Sequence, residues 1–141
     1  MNIYLAGPLF TTGERNFNRD LAGTLSGTGF DIFLPQKECM GLTVPEDIFR
    51  KCCEGLMGAD IVIAVLDGSD ADSGTAWETG YAYAKGIPVI GVRTDFRLQG
   101  DDKGLNLMLS RSCTQLIEHS SLEDISPAAI AEDIARRIKN L

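Results

Sequence analysis

The chain has 141 residues, 44% apolar and 23% charged, the composition of an ordinary globular domain able to bury a core without disulfides or a structural metal. Thirteen Lys and Arg against twenty Asp and Glu leave a net charge of −7, which disfavours a nucleic-acid polymer or an anionic membrane and points to a small-molecule partner. No apolar run approaches the roughly 18–20 residues of a membrane span, and Met1–Gly7 lacks the basic flank of a signal peptide, so one cytoplasmic domain over residues 1–141 is expected.

Asn2–Ala6 reads as a strand stopped by Gly7-Pro8, and Phe17, Leu21 and Leu25 recur at helical spacing behind it. Phe30–Leu34 is a second strand candidate closed by Pro35. Pro45 suits the first turn of a helix carrying Ile48, Phe49, Cys52, Cys53 and Leu56, and Gly58 its end. Asp60–Asp67 is rich in β-branched residues without polar alternation, the pattern of a central parallel strand covered on both faces. Ser73–Lys85 is helical up to Gly86, and Pro88–Val92 is a further strand. A long polar loop, Arg93–Gly104, precedes a short segment at Leu105–Leu109, an apolar run at Cys113–Ile117 and a last helix over Pro127–Leu141.

Strands alternating with helices at this spacing predict an α/β fold, a doubly wound, Rossmann-like or flavodoxin-like parallel sheet of about five strands with helices on both faces. Ligands of such sheets sit beyond the carboxyl ends of the strands, so the loops after Ala6, Leu34, Leu66 and Val92 should share one crevice. Neither GxGxxG after the first strand nor GxxxxGK[ST] occurs, which removes the standard phosphate cradles, and no cofactor is expected. The cysteines, Cys39, Cys52, Cys53 and Cys113, form no CxxC, and His119 has no ligand-spaced partner. No metal is expected, and the thiols read as reduced core fillers.

What the crevice loops carry is acid: Asp67, Asp70 and Asp72, with Glu78 about one turn into the next helix. One reading is structural, with Asp72 or Ser73 as N-cap and Thr75-Ala76-Trp77-Glu78 as a capping box. The other is chemical. A carboxylate near a helix N-terminus stays ionised at neutral pH and can act as nucleophile, with Asp72 holding or delivering a proton, the division of labour of glycosyl chemistry.

The run Asp67-Gly68-Ser69-Asp70-Ala71-Asp72-Ser73-Gly74-Thr75-Ala76-Trp77-Glu78-Thr79-Gly80-Tyr81-Ala82, with Gly86–Gly91 and Arg93–Arg97 behind it, closely resembles the nucleoside 2-deoxyribosyltransferase family. So do Ile3–Phe10 and Phe33-Leu34-Pro35-Gln36, and the likeness extends from residue 2 to about 110. The resemblance implies transfer of 2-deoxyribose between purine or pyrimidine bases through a covalent sugar–enzyme intermediate, with nucleosides and free nucleobases as partners. By match to the motif, Glu78 would be the nucleophile and Tyr4 would hold it. Asp72 would meet a sugar hydroxyl or deliver a proton to the base. Gln36 would contact the base, and Gly7 and Phe10 would shape the pocket. Asn106 and Met108 match an Asn-x-Met element that enters a neighbouring subunit's site, which implies a homo-oligomer with shared active sites. Some members also carry an aspartate for the base near the position of Cys52-Cys53-Glu54, and this chain has no clear equivalent.

Two other functions fit the same residues. Water could resolve the intermediate, giving a hydrolase of nucleosides or 2′-deoxynucleoside 5′-monophosphates. The loop Gly7–Thr12, with its apolar Leu9-Phe10, favours an uncharged nucleoside over a monophosphate. A non-catalytic nucleoside-binding module would use the acidic loop for sugar hydroxyls and Glu78 merely as a cap.

Overall fold

The structure, a computed structural model, describes residues 1–97, 104–119 and 125–141. In chain order it runs β1 (Asn2–Ala6), α1 (Thr12–Gly27), β2 (Asp31–Phe33), α2 (Pro35–Glu38), α3 (Pro45–Met57), β3 (Ile61–Val65), α4 (Ser73–Lys85), β4 (Val89–Arg93), α5 (Leu107–Ser112), β5 (Gln115–Glu118) and α6 (Pro127–Ile138). The five strands form one parallel sheet in the order β2-β1-β3-β4-β5. That order is the flavodoxin-like one, and it reverses between β1 and β3, where a crevice opens at the strand ends. No helix among the described residues is long and apolar enough to cross a membrane.

Alternation along the strands sorts the core into two layers, because successive side chains point to opposite faces. Ile3, Leu5, Ile63, Val65, Ile90 and Val92 pack with Leu21 and Leu25 of α1 and with Ile130 and Ile134 of α6. On the other face Tyr4, Ala6, Val62, Ala64 and Leu66 pack with Leu56 of α3 and Ala82 of α4. Every residue of β3 is buried, as its unbroken apolar run requires. The side chains of β1 therefore divide, and only Tyr4 and Ala6 reach the layer that contains α4.

Two local expectations are corrected. Pro35 opens the short helix α2 as well as ending β2, since its fixed φ and missing N–H suit a first helical turn. The Thr75–Glu78 pair forms no capping box. The N-cap of α4 is Asp72, whose Oδ2 accepts from the Thr75 N–H at 2.9 Å, so Glu78 lies too deep in the helix to reach back to the cap. The capping box of this chain is at α1, where Thr11 Oγ1 accepts from the Glu14 N–H at 3.2 Å and Glu14 accepts from the Thr11 N–H at 2.7 Å. Residues 98–103 of the polar loop lie outside the described residues.

Candidate active site

Helix α4 owes its position to its two ends. Asp72 caps the first turn with Oδ2 on both the N–H and the hydroxyl of Thr75, at 2.9 and 3.2 Å. Gly86 ends the helix at φ 70°, a left-handed conformation that suits glycine. Between them Thr79 and Ala82 are buried against the sheet, and Glu78 is carried to the crevice, only partly exposed.

There Glu78 meets β1. The Tyr4 hydroxyl donates to Glu78 Oε1 at 2.5 Å, a short charge-assisted hydrogen bond across 74 residues of sequence. Tyr4 is fully buried. It is paired in register with Phe33 of β2 and Val62 of β3, and its ring stacks on Phe33 with centroids 5.2 Å apart. Burial, the Glu78 charge and the hydrogen bond to it all push the Tyr4 hydroxyl far above its ordinary range, so it remains a donor at any physiological pH.

The charge state of Glu78 corrects the sequence expectation of a carboxylate kept ionised by the helix N-terminus. Its pKa is raised to about 7: burial lifts it most, the Tyr4 hydrogen bond pulls the other way, and the Asp72 charge adds to the rise. The helix terminus lies too far off to offset desolvation, because dipole effects fade beyond the first turn. Glu78 is thus poised to hold or release a proton at neutral pH, the tuning expected of groups that handle charge in catalysis.

The other residues divide by place. Gly7 packs so closely that a Cβ there would lie 3.2 Å from both Asn18 Oδ1 and Val65 Cβ, which explains the glycine without a ligand. Asn18 in turn donates to the Pro8 carbonyl at 2.8 Å. Glu14 accepts from the Phe10 N–H at 2.9 Å, and Arg15 donates to the carbonyls of Leu9 and Phe10 at 2.9 and 2.8 Å. This fastened loop leaves the Phe10 ring 72% exposed. Gln36 Nε2 donates to the Arg15 carbonyl at 2.8 Å, while its buried Oε1 has no partner among the described residues.

Asn106 and Met108 stand elsewhere. With Ser73, Ala76, Gly80 and Tyr83 they line a cavity of about 620 Å³ between α4 and α5. At about 3.6 residues per turn those α4 positions share one face, and Glu78 lies on the opposite one. Within one chain the Asn-x-Met element therefore does not meet the nucleophile candidate. A second opening, of about 610 Å³, lies between α1 and the loops after β3 and β4, and Glu78 does not line it. Its acids are already engaged. Asp67 accepts from the Thr94 N–H and hydroxyl, both at 2.6 Å, and Asp95 holds the Arg97 guanidinium, which keeps its carboxyl well below the usual range.

Sequence reasoning missed Cys52. The four thiols are free and half-buried; Cys113 packs against the core, whereas the Cys52 sulfur lies 3.7 Å from that of Cys39 and close enough to the Tyr4 hydroxyl to bear on its proton. Gly55, one turn further along α3, was missed as well. A Cβ there would lie 2.5 Å from the Phe33 ring. Gly55→Ala is expected to push Phe33 off Tyr4 and to destabilise the fold by about 1–3 kcal/mol. Thermal melts of this variant against the wild type check it.

The chain is an α/β protein whose parallel sheet has the flavodoxin-like order and carries a tyrosine-held carboxylate at its switch point, where such sheets place their ligands. The family model for nucleoside 2-deoxyribosyltransferases matches residues 3–109, and the chain belongs to that family. Among solved structures it is similar to a conserved protein from Enterococcus faecalis V583, at 28% identity and TM-score 0.76 over 97% of this chain and 98% of that one. It is similar also to a 2-deoxyribosyltransferase from Bacillus psychrosaccharolyticus, at 26% identity and TM-score 0.73 over 95% and 90%. A CMP N-glycosidase from Clostridium botulinum shares the fold at 16% identity and TM-score 0.69, over 97% and 99%. No curated protein matches the chain.

Proposed function

We propose that the protein exchanges the base of 2′-deoxynucleosides by a retaining double displacement at Glu78. The observation that carries this reading is the Tyr4–Glu78 hydrogen bond, which holds Oε1 and leaves Oε2 without a partner among the described residues. Ionised Glu78 attacks C1′ through Oε2. The C1′–N bond breaks, its electron pair leaves with the base, and a proton from solvent joins the departing nitrogen. A second base then attacks C1′ from the vacated side and gives its ring N–H proton to solvent, the C1′–O bond breaks, and Glu78 is released as the carboxylate. Two inversions give net retention.

Asp72 spends Oδ2 on Thr75, and we assign its other oxygen to a sugar hydroxyl. Gln36 offers Oε1 to a donor edge of the base. Phe10, exposed on a fastened loop, is an apolar surface for base or sugar. The substrate assigned is an uncharged nucleoside, because the Arg15 guanidinium beside that loop is already committed to the Leu9 and Phe10 carbonyls. Asn106 and Met108 complete a neighbouring subunit's site in a homo-oligomer. Their place behind α4 and the 74% exposure of Met108 support this.

Incubating thymidine with and without free adenine tests the proposal. Deoxyadenosine should accumulate with adenine, and thymine release should be slow without it. Equal thymine release in both mixtures would make the protein a hydrolase. Binding of thymidine with no release in either would leave a non-catalytic module.

A further inference from the structure

Cys39 closes helix α2 as its C-cap, and Cys52 lies in the middle of α3. Their sulfurs are 3.7 Å apart. A disulfide needs about 2.05 Å, so the two must approach by less than about 2 Å. Residues 40–44, which connect α2 to α3, are exposed throughout. The same Cys52 lies close enough to the Tyr4 hydroxyl for each to bear on the other's proton, and that hydroxyl donates to Glu78. Cys113 sits apart, its thiol donating to the Leu109 carbonyl at 3.3 Å.

We infer that Cys39 and Cys52 are a reversible thiol pair that closes to a disulfide under peroxide and thereby disarms the Tyr4–Glu78 pair. The Cys39 thiolate attacks one peroxide oxygen, the O–O bond breaks, and with one proton a water leaves, giving a sulfenic acid. The Cys52 sulfur then attacks the Cys39 sulfur, and the hydroxyl departs with the Cys52 proton as a second water. Two thiols lose two electrons in total, and peroxide takes them up. Cys39 is the entry point because burial and the neighbouring Cys39 push the Cys52 thiol up to about 12, which suits it to the second step rather than the first. Drawing the Cys52 sulfur toward α2 changes the surroundings of the Tyr4 hydroxyl that aligns Glu78. Displacements of this size at a reacting group cost about tenfold or more in rate. That consequence for turnover rests on the exchange reaction proposed above, whereas the disulfide and its effect on Glu78 do not.

The test treats the full chain with one equivalent of hydrogen peroxide, blocks remaining thiols, and maps the linked peptides by mass. The side-chain carboxyl signal of Glu78 is followed in ¹³C-glutamate-labelled protein before and after oxidation. Exchange is measured alongside, and dithiothreitol reverses the reaction. Expected are a Cys39–Cys52 linkage, a shifted Glu78 signal and titration midpoint, and exchange lowered about tenfold or more and restored by reduction. Cys39→Ser, with Cys39→Ala as a second variant, should keep the exchange of the reduced protein and resist peroxide. Absence of the linkage, or a linkage that moves neither the Glu78 signal nor exchange, would overturn the inference. A linkage with a shifted Glu78 signal in a protein that never exchanges bases would support the thiol switch and sink the transferase reading instead.

Discussion

Replacing Glu78 with Gln is expected to lower base exchange by at least about 10³-fold while making the protein more stable at alkaline pH. The amide keeps the size of the side chain and still accepts from the Tyr4 hydroxyl, so the crevice is preserved and only the nucleophile is lost. The stability change follows from the carboxyl's displaced titration. Burial first, and the Asp72 charge with it, raise Glu78 to about 7 from an ordinary 4.5, against the pull of the Tyr4 hydrogen bond. Between those values the folded protein binds a proton that the unfolded chain has released. Stability is therefore greatest below the unfolded value and declines as pH rises through 7. Gln has no such decline. At pH 8 the variant should gain about 2–3 kcal/mol over the wild type, a rise in Tm of several degrees, and at pH 5 almost nothing. Melts at both pH values, with exchange rates, decide the matter. Exchange that survives in the variant would remove Glu78 as nucleophile.

Tyr4→Phe is expected to lower exchange at pH 7 by roughly 10²-fold and to move the acid limb of the rate profile toward alkaline pH. Phenylalanine preserves the stack on Phe33 but takes away the only hydrogen bond that favours ionised Glu78 among its named influences. Desolvation and Asp72 then act unopposed, and the carboxyl holds its proton further up the scale. Rates of thymidine–adenine exchange against pH give the limb for each protein. A limb that stays in place while the rate falls would mean that Tyr4 aligns Glu78 without tuning its charge.

The strands that build the crevice were legible because their sequences admit little else. The β-branched run at Ile61–Val65 lacks polar alternation, and burial of every residue in β3 is what such a run requires. Ser73–Lys85 was legible from its ends, with a capping aspartate before it and Gly86 after it. Where reading failed, the missing information was three-dimensional. A Thr-x-x-Glu spacing looks the same inside a helix as at its start, and only the cap geometry shows that Glu78 is several positions too deep. The charge state of that carboxyl depends on its burial in the fold and on a tyrosine 74 residues away, neither of which could be read locally. Cys52 read as core because cysteine is commonly buried, while its contacts depend on how α3 rotates over β2 and β1. Pro35 reads as a stop, although the same ring geometry that ends a strand can begin a helical turn.

The order of the strands also governs when the site can exist during folding. β1 is made early but lies inside the sheet, between β2 and a β3 that begins only at Ile61. A nascent chain released through residue 60 therefore presents β1 with one side unpaired, an open strand edge with apolar Ile3 and Leu5 on it. Tyr4 and Glu78 come together only after that edge is covered and α4 is laid across the sheet. Recovery of the pair thus reports late, long-range assembly, and the chain cannot acquire its chemistry before its architecture.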